Sequence, residues 1–197
     1  MKRRSHTVER TTRETQIRCE VDLDGEGRAE IATGVGFLDH MLASLALHAR
    51  LNLTLSCAGD LDVDDHHTVE DCALALGQAI DGALGERAGI RRFGFAYAPL
   101  DESLARAAID LSGRPFACVL LDLRRDRLGT LSCENVPHFF ASLANALRAA
   151  IHLDLLRGEN DHHKVEAGFK AFALALRNAV EIDPRGLKIV PSTKGSL

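Results

Sequence analysis

The chain carries the stretch Asp64-Asp65-His66-His67-Thr68-Val69-Glu70-Asp71 and, near its end, the similar stretch Glu159-Asn160-Asp161-His162-His163-Lys164-Val165-Glu166-Ala167. Each copy joins two adjacent histidines to a glutamate and leads into an apolar, alanine-rich run. If that run is a helix, the glutamate lies one turn after both histidines, so imidazole and carboxylate can converge. Imidazole nitrogen and carboxylate oxygen together suit a divalent transition metal. A solvated polar helix start explains one copy equally well, but two copies favour metal binding.

Composition indicates a cytoplasmic globular protein. The 197 residues are 46% apolar and 26% charged, with a net charge of -4, no tryptophan and one tyrosine, which argues against a nucleic-acid partner. The basic start has no apolar segment after it, and no run reaches the roughly 18 apolar residues of a membrane helix. Five scattered cysteines without a C-x-x-C motif indicate reduced packing residues. A small anionic substrate is compatible with this composition, because local Arg and Lys can bind phosphate.

Periodicity predicts the elements of a first half. Residues 12–23 alternate as a half-buried strand, and the Asp24-Gly25 turn would return the chain as a hairpin with a strand at 28–32. We then predict a helix from Phe37 to about Arg50, a strand at 51–57 and a helix at 68–85.

The second half repeats this order. Glu14 matches Glu102 at an offset of 88 residues, His40 matches His138 at 98, and His66 matches His162 at 96. The offsets agree apart from an insertion of about ten residues before His138. We predict a second hairpin at 100–123 with a Gly113-Arg114-Pro115 turn, a helix at 134–151, a strand at 152–156 and a helix at 165–180. The prediction is therefore an α+β protein with two similar β-β-α-β-α halves, about residues 10–90 and 98–190, related by a pseudo-twofold axis and packed as one unit over 1–197.

Six of the nine histidines recur in corresponding places, and each set of three has one glutamate. The first set is His40, His66, His67 and Glu70, and the second is His138, His162, His163 and Glu166. Adjacent helical histidines point about 100 degrees apart, so the two members of a pair are expected to serve different metals. This predicts two related sites of roughly three histidines and one glutamate with open positions. Such sites suit Mn(II) or Fe(II) better than a closed zinc site, and Mg(II) prefers oxygen ligands.

Several further residues are candidate anion ligands. They are Arg91 and Arg92, Arg114 in its Gly-Arg-Pro turn, and the polar segment Pro191-Ser192-Thr193-Lys194-Gly195. Hydroxyl, lysine, arginine and backbone amides are the groups that bind a phosphate monoester. Singly, each of them is more often an ordinary solvated residue.

Four motifs resemble those of the imidazoleglycerol-phosphate dehydratase family, in order and over nearly the whole chain. They are Phe37-Leu38-Asp39-His40-Met41-Leu42, Asp64-Asp65-His66-His67, Gly158-Glu159-Asn160-Asp161-His162-His163 and Ser192-Thr193-Lys194-Gly195. The resemblance implies a fold similar to domain 2 of ribosomal protein S5. It also implies assembly through trimers into a 24-subunit cage, with two Mn(II) ions per active site between subunits, Fe(II) or Zn(II) being other possible metals.

The resemblance also assigns residues. It implies metal ligation by the eight residues of the two sets, and proton transfer by Glu14, Glu166 or Asp101. Phosphate binding would fall to Arg92, Arg114, Ser192 and Lys194. The implied reaction is loss of water from imidazole glycerol phosphate to give imidazole acetol phosphate in histidine biosynthesis. The alternatives are a dinuclear-metal phosphohydrolase, which usually relies on bridging aspartates, and a metal store, which would leave the anion-binding residues without a role.

Overall fold

Burial along β2 (Thr15–Asp22) confirms the alternation that the sequence predicts for its first strand. Ile17, Cys19 and Val21 are buried, and the residues between them are exposed. The inward side chains meet the apolar faces of helices, so each sheet has one covered face and one open face. This layering of helices on one face of a mostly antiparallel sheet is the α+β architecture that we predict.

The structure is a computed structural model that describes residues 3–186 and 189–195; the remaining residues of the predicted 1–197 unit lie outside the described part. The elements of the first half are β1 (Ser5–Thr11), β2 (Thr15–Asp22), β3 (Ala29–Ala32), α1 (Gly36–Ala49), β4 (Asn52–Gly59) and α2 (His66–Leu84). Those of the second half are β5 (Phe93–Leu100), β6 (Ser103–Asp110), β7 (Phe116–Leu120), β8 (Arg127–Leu128), β9 (Leu131–Ser132), α3 (Asn135–Leu147), β10 (Ala150–Arg157) and α4 (Asp161–Val180).

The strand pairing corrects both predicted hairpins. The first sheet has the order β1-β2-β4-β3, and the second has the order β5-β6-β10-β7. The hairpin partner of β2 is therefore β1, which the sequence analysis missed, and β3 pairs in parallel with β4 at the opposite edge. In the second half, β6 pairs with β5, and β7 pairs in parallel with β10. The turn after β2 thus leads into a crossover, because both long edges of β2 are already paired with β1 and β4.

The two halves are similar and share one core. Each contains the predicted β-β-α-β-α order preceded by one further strand, and the second half adds the short β8–β9 pair before α3. Helix α1 packs on α4, and α2 packs on α3. Because α1 is equivalent to α3 and α2 to α4, the two helix pairs are equivalent to each other, as a twofold relation between the halves requires. The buried apolar residues of both halves form a single cluster. Arg87, in the connection between the halves, is 1% exposed and donates to Asp81 and to the backbone oxygen of Leu147.

Two helices begin earlier than the sequence predicts, and both differences matter for the histidines. Helix α2 begins at His66 instead of residue 68, and α4 begins at Asp161 instead of 165. A side-chain oxygen accepts from the backbone N–H two residues further on in both cases: Asp64 accepts from His66 and Asn160 from His162. Both His-His pairs therefore lie in the first turn of a helix. Among the described residues, no helix has the length and apolarity needed to cross a membrane.

Candidate metal centre

The structure brings six of the eight predicted ligands together as two three-residue clusters. The His66 cluster consists of His66, Glu70 and His138, and the His162 cluster consists of His40, His162 and Glu166. In each cluster one ligand atom per residue lies within 4.8 Å of the others. Two donors bound to one ion at about 2.0–2.2 Å lie at most about 4.4 Å apart, so side-chain shifts of a few tenths of an ångström bring all three donors within reach of a single ion.

Each cluster is built across the two halves. Helix α2 supplies His66 and Glu70, one turn apart, and α3 of the second half adds His138. Helix α4 likewise supplies His162 and Glu166, and α1 of the first half adds His40. The packing of α2 on α3 and of α1 on α4 therefore creates the two clusters directly.

The distances within the clusters fit a shared cation. Glu166 Oε2 lies 3.4 Å from His40 Nε2 and 3.2 Å from His162 Nε2. In the other cluster His138 Nε2 lies 3.5 Å from Glu70 Oε1, and this nitrogen is buried without a hydrogen-bond partner among the described residues. A buried imidazole nitrogen that faces a carboxylate and a second imidazole is suited to bind a metal ion, because such a ligand would satisfy it.

The second histidine of each pair faces away from the clusters toward two carboxylates. Nδ1 of His67 lies 3.0 Å from Asp60 Oδ2, and its Nε2 lies 3.7 Å from Glu14 Oε1. Hydrogen bonding to Asp60 raises the pKa of His67 above its ordinary value. This placement agrees with the expectation that adjacent histidines serve different sites.

His163 has the corresponding environment in the second half. Its Nδ1 lies 2.7 Å from Glu102 Oε2, and its Nε2 lies 3.8 Å from Asp101 Oδ2. Glu102 raises the pKa of His163, while the backbone amide of Asn160 and then His163 itself hold the pKa of Glu102 well below its ordinary value. A carboxylate at Nδ1 leaves Nε2 as the free ligand atom, which is the usual arrangement of a metal-binding histidine.

Glu166 also contacts a cation of its own helix. Lys170 Nζ lies 2.8 Å from Glu166 Oε1. Burial acts to raise the pKa of Glu166, but the hydrogen bond and charge of Lys170, together with His40, outweigh burial, so that the pKa lies below its ordinary value. Glu166 is therefore ionised near neutral pH, as a metal ligand must be.

Residues outside the predicted set hold His66. Asn135 Oδ1 lies 3.1 Å from His66 Nδ1. Asp65, which is 5% exposed, accepts from the backbone N–H and the hydroxyl of Ser132 at 2.7 Å each. Burial acts to raise the pKa of Asp65, but these hydrogen bonds and one from the side chain of Asn135 lower it below its ordinary value.

The predicted anion ligands lie in two places. Arg92 forms an ion pair with Asp110 at 2.6 Å and donates to the backbone oxygen of Pro191 at 2.8 Å, so it fixes the start of the Ser-Thr-Lys-Gly segment. The backbone N–H of Lys194 donates to Ser192 Oγ, and the side chain of Lys194 is exposed. Arg114 is exposed in the loop before β7.

Three residues outside the predicted set each hold Nδ1 of a paired histidine, namely Asp60, Glu102 and Asn135. Glu102 could have been found, because it occupies the position that corresponds to Glu14 in the repeat. Asp60 lies in the loop before α2, and Asn135 reaches His66 from the other half. Their proximity depends on tertiary packing, which the sequence pattern does not encode.

Fold and site together define a class: an α+β protein with an internal repeat and two clusters of histidine and glutamate that could each hold a metal ion. A family model described as imidazoleglycerol-phosphate dehydratase matches residues 33–176. The chain belongs to the imidazoleglycerol-phosphate dehydratase family, whose members are hydro-lyases. The family resemblance seen in the sequence motifs is thus confirmed.

Individual relatives support this assignment. The chain is 56% identical to imidazoleglycerol-phosphate dehydratase of Chlorobium luteolum over 194 residues, which cover 98% of this chain and 96% of the relative. It is 53% identical to that of Phytophthora nicotianae over 98% of this chain, where the match spans 42% of a longer protein. The crystal structure of the Staphylococcus aureus enzyme superposes with a TM-score of 0.82 at 36% identity, covering 91% of this chain and 99% of that one.

Proposed function

We propose that this chain is a metal-dependent dehydratase that removes water from imidazole glycerol phosphate to give imidazole acetol phosphate, in the cytoplasm and in histidine biosynthesis. The observation that carries the proposal is the duplicated cluster of two histidines and one glutamate, formed by equivalent helices of the two halves. The names of the relatives, which match along almost the whole chain, support the substrate.

We propose Mn(II) as the metal, with two ions per active site. The donor set fits, because imidazole nitrogen and carboxylate oxygen with open positions suit Mn(II) or Fe(II). His66, Glu70 and His138 would hold one ion, and His40, His162 and Glu166 the other. When bound, the ions supply Lewis-acid stabilisation of negative charge on the substrate imidazole and of the departing hydroxyl.

The remaining predicted ligands, His67 and His163, require a second copy of the chain. Their free Nε2 atoms point away from both clusters of their own chain, toward Glu14 and Asp101. A third histidine for each site therefore comes from a neighbouring subunit in this proposal. This incomplete ligand set supports a homo-oligomer with sites between subunits, for which we propose the 24-subunit cage built from trimers.

Proton transfer is assigned to exposed carboxylates beside the outward histidines. Glu14 is half exposed and faces His67 Nε2, so in this proposal it can remove a proton from a substrate carbon near that site. Asp101 occupies the related place beside His163. Glu166 touches two histidines and Lys170, which favours its role as a metal ligand over that of a proton carrier.

The substrate phosphate is assigned to Arg114, Ser192 and Lys194, with Arg92 placing the segment that carries the last two. Arg92 is already paired with Asp110 and bound to Pro191, so its contribution would include ordering the segment as well as charge. A lysine and a hydroxyl on an ordered segment, with a nearby arginine, can bind a phosphate dianion.

The test compares turnover of imidazole glycerol phosphate by the wild type, Lys194→Ala and Arg114→Ala, with metal content measured on the same samples. Loss of one charge-assisted contact is expected to lower kcat/KM by roughly 10- to 100-fold. Metal content should not change, because neither residue lies in a cluster. Arg28→Ala removes a positive charge at another exposed position, away from the clusters, and is the matched control. Release of inorganic phosphate instead of water would contradict the proposal and favour a phosphohydrolase.

A further inference from the structure

The two metal clusters are not equivalent, because different residues hold the first histidine of each pair. In the His66 cluster, Asn135 Oδ1 lies 3.1 Å from His66 Nδ1. The residue that corresponds to Asn135 in the repeat, at the offset of 98, is Phe37. Its ring lies edge-on to His162, with centroids 4.9 Å apart, and offers no acceptor. His162 Nδ1 has no hydrogen-bond partner among the described residues.

Asp65 determines the orientation of the Asn135 amide. A carboxylate can only accept, and Asp65 accepts from the backbone N–H and the hydroxyl of Ser132, while the neighbouring Asn135 side chain helps to lower the pKa of Asp65. The amide nitrogen of Asn135 must therefore face Asp65, and its oxygen must face His66. The imidazole then carries its proton on Nδ1, which leaves the lone pair of Nε2 directed at Glu70 and His138.

The glutamates of the two clusters also differ, and this difference again favours metal binding by the His66 cluster. Glu166 is paired with Lys170 at 2.8 Å. The counterpart of Lys170 at the offset of 96 is Leu74, so Glu70 has no lysine one turn further along its helix. A lysine that shares a carboxylate weakens the electrostatic attraction of that carboxylate for a metal ion. Both differences make the His66 cluster the better ligand set.

We propose that Asn135 and Asp65 are positioning residues which fix the tautomer and ring orientation of His66, and that the His66 cluster is consequently the tighter of two unequal metal sites. The inference rests on the proposed metal-binding function, because it concerns the relative affinity of the same clusters. It assigns no contact with substrate to either residue.

The experiment is a Mn(II) titration of the chelator-stripped full-length protein, with free Mn(II) followed by electron paramagnetic resonance. The wild type should show two affinity classes. Asn135→Leu should weaken the tighter class by about 10- to 100-fold, the usual effect of removing the partner of a metal-binding histidine. The matched control is Phe37→Leu, which changes the equivalent position of the other cluster and should leave the tighter class unchanged. Thermal melting of each stripped variant reports whether it is folded.

A charge exchange separates positioning from a purely structural role. Asp65→Asn should weaken the tighter class, because its amide can no longer require one orientation of Asn135. In the double variant Asp65→Asn/Asn135→Asp, the amide at position 65 can donate to the carboxylate at position 135. That carboxylate again places an acceptor at His66 Nδ1. Recovery of the tighter class in the double variant supports the proposal. Equal affinity of both wild-type sites, or equal effects of Asn135→Leu and Phe37→Leu, would overturn it. Dehydration that still depends on Mn(II) in the same wild-type preparation would leave the proposed function standing.

Discussion

The open faces of the two sheets differ although the sheets share one topology. On β1 the outward residues are Ser5, Thr7 and Glu9, and the corresponding residues on β5, at the offset of 88, are Phe93, Phe95 and Tyr97. The three aromatic side chains are exposed, Phe95 to 73%. Phe116 and Leu120 on β7 are exposed at the opposite edge of the second sheet, with the Arg106–Asp154 ion pair between them and β5, whereas the first sheet presents polar and charged residues.

This difference separates a feature that both halves share from one that only the second sheet has among the described residues. Histidines and glutamates recur at equivalent positions in both halves, but exposed aromatic side chains line an open sheet face only on the second sheet among the described residues. A group of neighbouring exposed apolar side chains on a globular protein usually marks an interaction site. The second sheet is therefore the surface through which we expect copies of the chain to associate.

The largest expected effect comes from placing a charge among the exposed aromatic side chains of β5. Phe95→Glu should dissociate the assembly, since an aromatic anchor of an interface contributes about 2 kcal/mol or more and a buried unpaired charge adds a further penalty. Dehydratase turnover should be lost together with the assembly if sites lie between subunits. Analytical ultracentrifugation and turnover on the same samples measure both effects.

Thr7→Glu provides the control for that substitution. It adds the same charge to the equivalent strand position of the first sheet, whose open face is polar, and should leave both mass and turnover unchanged. Dissociation by Thr7→Glu but not by Phe95→Glu would show that the first sheet is the interface.

An intermediate effect is expected from the fully buried ion pair between Lys164 and Asp161, which has no counterpart at the equivalent positions of the first half. Lys164 is fully buried, lies 2.8 Å from Asp161 Oδ1 and donates to the backbone oxygen of Asp122. Lys164→Met leaves a buried carboxylate without its cation and should lower the free energy of unfolding by about 3 kcal/mol. Chemical denaturation at one fixed protein concentration measures the loss.

The equivalent position in the first half is Thr68, at the offset of 96. Its hydroxyl is buried and has no hydrogen-bond partner among the described residues. Thr68→Val should therefore change the free energy of unfolding by less than about 1 kcal/mol. A loss at Thr68 as large as that at Lys164 would mean that the two helix starts are stabilised in the same way, contrary to the structure.

The smallest effect concerns a contact between the halves. Arg4 pairs with Asp24 and donates to the backbone oxygen of Val180 at the end of α4. The hydrogen bond from Arg4 lowers the pKa of Asp24 despite partial burial. Asp24→Asn should therefore cost about 0.5 kcal/mol at neutral pH, as for a surface ion pair.

The pH dependence of this contact follows from the lowered pKa. The ionised carboxylate stabilises the folded state fully above its ordinary pKa, and that contribution disappears as the pH falls through the lowered folded pKa. Wild type and Asp24→Asn should thus converge in stability in acid. Asp62→Asn, which removes a charge from an exposed side chain, is the control. A difference between wild type and Asp24→Asn that stays constant into strong acid would contradict the account.

The sequence predicts the helices and inner strands well because their apolar periodicity reflects burial. It misses β1, since Ser5–Thr11 is an edge strand whose outward residues are polar and whose inward residues include Arg10. It misplaces β3, because the Asp24-Gly25 sequence is typical of a hairpin turn. In the structure β2 is already hydrogen-bonded to β1 and β4 along its two edges, so β3 pairs with β4 instead. Strand order is a tertiary property that local turn residues do not determine.

For the candidate site, the repeat identifies six residues that the structure brings together in two clusters. Residues at equal offsets lie on equivalent helices. Because α1 packs on α4 and α2 packs on α3, a residue of each half joins the pair that comes from the other half. The residues that hold the imidazoles, such as Asp60 and Asn135, come from a loop and from the opposite half. Only the packing of α2 on α3 brings Asn135 to His66, so no spacing in the sequence could have indicated it.

The most direct test of the central claim is dehydration of imidazole glycerol phosphate by protein that has been stripped with chelator and then reconstituted with Mn(II). We expect that turnover disappears on stripping, that it returns with Mn(II), and that two ions bind per chain when activity is complete. Full turnover by the stripped protein, or its absence in an intact assembly that has bound Mn(II), would contradict it.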